Sequence, residues 1–164
     1  MALFHDVNAA AGAARELHAL GLEPGDLSIV ARDHHAESTI ARQIDGTPGS
    51  EIEDSRTASH LGELSGYLLA AIAIGLPGTG AMVAAGPLAA ELGEAAGHAA
   101  GDLKSALIKA GLPDAEADAW YAQIQSGEAI LLGAHVRTAS RERAEAALLR
   151  HSTGHVVQTE WDAD

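Results

Sequence analysis

Five side chains in the middle of the chain have the types and spacing of a carboxylate–histidine metal site: His60, Glu63, Glu94, His98 and Asp102. Glu and His three or four residues apart on facing helices build such sites inside helical bundles, because that spacing puts two donors on one helix face. If the chain folds back about residues 78–81, His60 and Glu63 come level with Glu94, His98 and Asp102. A divalent metal ion is the cofactor that set would hold. The competing reading is a solvated face. On a helical wheel these residues, with Tyr67 and Glu91, occupy the sector away from the leucine stripe, where Glu–His pairs are ordinary surface pairs.

The other candidates for chemistry are weaker. His34-His35 follows Asp33 in a polar loop, and a ligand set needs donors converging from elsewhere. His151 and His155 are placed at a helix end and a strand start, and a helix C-terminus favours a histidine without any ligand. Gly78-Thr79-Gly80 resembles half a dinucleotide fingerprint, but the preceding strand and the third glycine are missing. Triad members are distant in sequence, and no Ser-His-Asp pattern is recognisable in linear order. The chain has no cysteine, which excludes disulfides, thiolate metal sites and a cysteine nucleophile.

Positioning the five metal-type residues takes two helices. Leu61, Leu64, Leu68 and Ile72 share one helical face, and Leu88, Leu92, Leu103 and Leu107 form the stripe of another. Residues 57–110 are therefore expected to be an Ala/Gly-rich helical hairpin, interrupted around Pro77, Gly78, Gly80, Gly86 and Pro87. Gly62 and Gly66 on one helix, and Gly93, Gly97 and Gly101 on the other, repeat every four residues. Small residues at that spacing let helix backbones approach closely. The hairpin is expected to zip on these glycines, with a dimer through the same faces as the rival arrangement.

The flanking segments read as two similar α/β units. Residues 1–32 give a strand, a helix with Ala10, Ala13, Leu17 and Leu20 on one face, a stop at Gly21, a turn at Pro24-Gly25-Asp26, and a strand at 27–31. Residues 33–56 are a polar connector. Residues 111–164 give a helix anchored by Trp120, Tyr121 and Ile124, a strand at 129–136, a helix capped by Ser140, and a last strand at 155–161. The expected architecture is one α+β domain over 1–164. Its core is a ferredoxin-like β-α-β/β-α-β four-stranded antiparallel sheet with helices on one face and the helical hairpin inserted between the halves.

Composition narrows the function. Formal charge is -13, from 23 acidic and 10 basic residues, and aromatic residues make up 3%. Such a surface repels phosphate backbones and offers few stacking platforms, so a nucleic-acid partner is not expected. Residues 67–90 carry no charge over 24 positions, a length that could span a bilayer, but two prolines and four glycines divide the run. A buried hairpin is preferred over membrane association. The N-terminus lacks the basic start and apolar run of a signal peptide, so a cytoplasmic location is expected.

Four stretches carry a family resemblance: LFHDVNAAAGAARELHALGLEPGDLSIVARD, GLPGTGAMVAAGPLAA, IKAGLPDAEADAWYAQIQSGEAILLGAHV and ERAEAALLRHS. Through them the chain resembles the bacterial general stress protein family of the 17M type, whose biochemical function is unknown. The middle stretch is the most specific. The resemblance implies a stress role and names no catalytic residue. One departure stands out: His60, Glu63, Glu94, His98 and Asp102 lie where relatives typically carry only small residues. The leading expectation is a non-enzymatic stress-response protein, a homo-oligomer acting by self-association or partner binding. The alternatives are divalent-metal binding on the His/Glu face and membrane association through the apolar hairpin.

Overall fold

The computed structural model describes residues 1–32, 72–76, 80–88 and 103–160. Its elements are β1 (Ala2–Phe4), α1 (Val7–Ala19), β2 (Leu27–Arg32), β3 (Ile72–Leu76), β4 (Gly80–Ala85), α2 (Leu103–Lys109), α3 (Asp114–Ser126), β5 (Ile130–Ala134) and α4 (Arg141–His151). The strands form one antiparallel sheet in the order β1-β5-β2-β4-β3. β2 is central, and β5 lies between β1 and β2, with Leu3 opposite Leu131 and Val30 also opposite Leu131. The β3–β4 hairpin extends the sheet on the far side of β2, where Val30 faces Ala84.

This corrects the expected architecture in three places. The sheet is not a four-stranded ferredoxin-like one. Ile72–Leu76, expected as the end of the first hairpin helix, and Gly80–Ala85, expected as the interruption between the helices, are strands paired as a sheet hairpin, whereas Leu103–Lys109 is helical as expected and residues 57–71 and 89–102 lie outside the described residues. The physical reason is a shared alphabet: Ile72-Ala73-Ile74-Gly75-Leu76 alternates large and small with period two, while Ile72 also completes a period-3.6 stripe with Leu68. Once β2 offers an open edge, backbone pairing settles the choice. The segment expected as a last strand is not a strand either. It touches β1 at Val157, whose N–H donates to the Met1 carbonyl at 2.8 Å while the Met1 amine donates back at 2.7 Å.

Both faces of the sheet are covered, which also departs from the one-sided arrangement expected. On one face Ala2, Phe4, Leu27, Ile29 and Leu132 pack under α1 and α4. On the other Leu3, Val30, Met82, Ala84 and Leu131 pack under α2 and α3, against Leu107, Trp120 and Ile124. A strand covered twice needs apolar residues at every position rather than alternation. Leu27 to Ala31 obeys this, with Ser28 as the one polar residue, 1% exposed.

Local signals explain the helix limits. Asp6 accepts hydrogen bonds from the Asn8 and Ala9 N–H groups and so caps α1. Ser140 does not cap α4 as expected; its hydroxyl accepts from Arg143 at 3.4 Å. The α1–α4 contact is close because Gly12 has no side chain: a Cβ there would sit 2.9 Å from the His151 ring. Beside it Glu16 pairs with Arg150 and lies 3.1 Å from His151. Among the described residues no helix is long and apolar enough to cross a membrane.

Gly86 is the tightest point of the sheet's connections. Its φ is +78°, and a Cβ there would overlap the Leu27 carbonyl oxygen and lie 2.9 Å from the Ser28 Cα. Gly21 has φ +91° but open space around it. Gly86→Ala is therefore expected to cost more than about 2 kcal/mol, because left-handed strain and backbone overlap add. Gly21→Ala meets only the strain, about 1 kcal/mol. Urea denaturation of both variants checks the difference; equal losses would mean that Gly86 makes no close approach.

Candidate functional site

The residues singled out in the sequence divide into two groups. His60, Glu63, Glu94, His98 and Asp102, the glycines Gly62, Gly66, Gly93, Gly97 and Gly101, and the His34-His35 pair lie outside the described residues. His151 and His155 lie inside them and do not converge. His151 ends α4 against Glu16, whereas His155 pairs with Glu116 and its ring centroid stands 6.4 Å from that of Trp120. Among the described residues no group of three or more His, Asp or Glu side chains could hold a metal ion.

The structure brings together a different set. Where β5 ends beside the start of β2, a cleft of about 590 Å³ opens between the sheet end, the first turn of α4 and the tail after it. Register places Ser28 opposite Gly133 at its floor. Gly133 is small where it must be, since a Cβ would come within 3.2 Å of the Met1 side chain and 3.6 Å of the Ser28 Cβ. One residue past β5, the His135 N–H donates to the Asp26 carbonyl at 2.7 Å, which fixes the imidazole over Ser28. His135 Nε2 is 3.4 Å from Ser28 Oγ. The Leu88 N–H donates to that same oxygen at 3.1 Å. Ser28 therefore accepts from Leu88 and keeps its proton for a neutral imidazole.

A serine beside a histidine is the start of a nucleophile–base pair. Here the hydroxyl is 1% exposed and already tied to backbone. Its position is that of a buried strut holding Pro87-Leu88 onto β2. Burial holds His135 below its ordinary value of 6.5; the Asp26 carboxylate opposes this and the Met1 amine reinforces it. The Met1 amine, bonded to the Val157 carbonyl, is itself pushed down to about 6 by burial, against the pull of Glu145.

The mouth of the cleft is charged differently from the rest of the molecule. Arg137 and Arg141 line it, both exposed. Among the described residues neither guanidinium has a carboxylate within ion-pair distance or a hydrogen-bond acceptor, while the other basic side chains are engaged: Lys104 with Asp114 and Asp118, Arg143 with Ser140, Arg150 with Glu16, Arg32 with the Gln125 carbonyl, and Arg15 and Lys109 likewise partnered. No linear signal announced this site. Ser28 and His135 are 107 residues apart, and only the β2–β5 register joins them.

Comparison with protein-family models, with curated proteins and with solved structures found no match to this chain. The resemblance to the stress protein family therefore rests on the four stretches quoted above.

Because the fold prefers neutral His135 and the unfolded chain takes up its proton more readily, that group's contribution is intact above pH 6.5 and is lost as pH falls below it. A series of thermal melts from pH 7.5 down to about 5 should show His135→Gln losing less stability over this window than the parent chain, since glutamine does not titrate. Parallel curves would remove the titrating role of His135.

Proposed function

We propose that this chain is a non-enzymatic protein of a bacterial stress response that acts by self-association or by binding a protein partner, through the β3 edge of its sheet. The observation that carries the reading is the difference between the two edges. At one end Met1, the residue that leads into β1, exchanges two backbone hydrogen bonds with Val157. At the other, Ile72–Leu76 is the outermost strand, bonded among the described residues to β4 alone, and its five residues include no charge and no proline. Edges left without charge, proline or cover are templates for pairing with another chain. Addition of a strand there supplies main-chain hydrogen bonds without new machinery. The stress setting is supported by the sequence resemblance alone. The buried, backbone-tied Ser28 agrees with a role other than hydrolysis.

Sedimentation equilibrium tests the reading. The parent chain is expected to form dimers or larger species, and Ala73→Lys to shift it to monomer with its circular dichroism unchanged. Ala73 pairs with Val83 at the middle of β3, so the change places a charge on the outermost strand. A parent chain that stays monomeric at high concentration and recovers no partner would overturn the proposal, as would an oligomer indifferent to the substitution.

A further inference from the structure

We infer that the cleft at the end of β5 binds a small amphiphilic anion, with its acidic head on Arg137 and Arg141 and its apolar body on the wall of α4 and the tail. The volume, about 590 Å³, lies within the range of small-molecule sites, about 300–1,000 Å³. The lining divides as such a ligand requires. Val136, Leu148 and Val157 supply apolar lining, and Arg137, Arg141 and His135 supply polar lining.

Charge selects the sign of the ligand. In a chain of net charge -13, basic side chains are drawn to carboxylates, and the described ones elsewhere have found partners. Among the described residues Arg137 and Arg141 have none, although Glu145 and Glu160 line the same cleft. Glu145 instead feels the Met1 amine. Two uncommitted guanidiniums beside an apolar wall match a planar or tetrahedral anion, since guanidinium presents donors in a fixed fork and sheds water more readily than an ammonium. His135 and Ser28 at the floor already satisfy one another, so they shape the cleft and the arginines supply the recognition. The overall negative charge opposes approach to an anionic membrane, which favours a free amphiphile over a lipid headgroup.

Sodium octanoate below its micelle concentration is the probe, with 1-octanol as the uncharged control. Titration followed by backbone amide NMR is expected to move the signals of residues 133–141 with octanoate more strongly than with octanol. Arg137→Ala/Arg141→Ala should weaken octanoate binding by about tenfold or more, as loss of charge-assisted hydrogen bonds implies, and leave octanol unchanged. Arg143→Ala, on the same helix but not lining the cleft, should bind like the parent. The inference is overturned if octanoate and octanol act alike on the parent chain, if the shifts fall elsewhere, or if the double variant binds as well as the parent. It is equally overturned if the chain sediments with phosphatidylglycerol vesicles and ignores free octanoate. The octanoate–octanol comparison on the parent chain holds whether or not the double variant folds.

Discussion

The pairing of Leu27–Val30 with Leu131–Ala134 joins segments from opposite ends of the chain, and the other described elements are arranged around it. Ser28 and His135 are 107 residues apart, so closing that loop costs about 4 kcal/mol by its length-dependent part. Leu27, Ile29, Val30, Leu131 and Leu132 are each 2% exposed or less, and full burial of such a side chain is worth about 1.5–3 kcal/mol. The apolar gain of this one ladder therefore exceeds the closure term, before the helices on either face are counted. β2 also joins β5 to β4, so removing it would separate the β3–β4 hairpin from the rest.

Small residues make that double covering possible with few aromatics. α1 buries Ala10, Ala11, Ala13 and Ala14 and only one larger side chain, Leu17. A helix face of this kind lies close to the sheet and orders little side-chain entropy, because alanine has no rotamers to lose. Gly12 continues the same logic toward α4, where the His151 ring occupies the space a side chain would need. The bulk missing from α1 is supplied by its neighbours in the same layer, with Phe4 and Leu27 in the sheet and Leu148 in α4. Gly86 serves the third close approach, letting the chain leave β4 and cross directly over the start of β2.

What could be read from the sequence is what local chemistry encodes. The left-handed stop at Gly21, the anchors Trp120, Tyr121 and Ile124, and the apolar blocks at 27–31 and 129–136 place α1, α3, β2 and β5 close to where they stand. The expectation failed where Ala and Gly dominate. Between residues 72 and 85 a period-two and a period-3.6 pattern can both be drawn through the same side chains, and the decision falls to a tertiary partner, the edge of β2. The tail failed for the converse reason. Its alternation was genuine, but a strand needs a ladder, and among the described residues the tail's backbone pairing with the sheet end is the pair of bonds between Val157 and Met1. The cleft was illegible because no spacing relates Ser28, His135 and Arg141; a register does.

The strand order also keeps the two proposed interactions apart. The cleft belongs to the β5 side of the sheet, at Gly133 and His135, and the open edge belongs to β3. Between them lie β2 and β4, so β3 is three strand spacings from β5, roughly 14 Å at about 4.8 Å per strand. A strand added to β3 would lie one spacing further out and touch neither Arg137 nor Arg141. The link between the two places is mechanical, through Gly86 and Leu88. These residues leave β4, which pairs with β3, and end on the Ser28 hydroxyl beneath His135. A shift of the hairpin relative to β2 would have to break the Leu88–Ser28 bond, because Gly86 has no slack against the Leu27 carbonyl. Leu88–Ser28 is thus the contact that joins the end of the hairpin to the floor of the cleft.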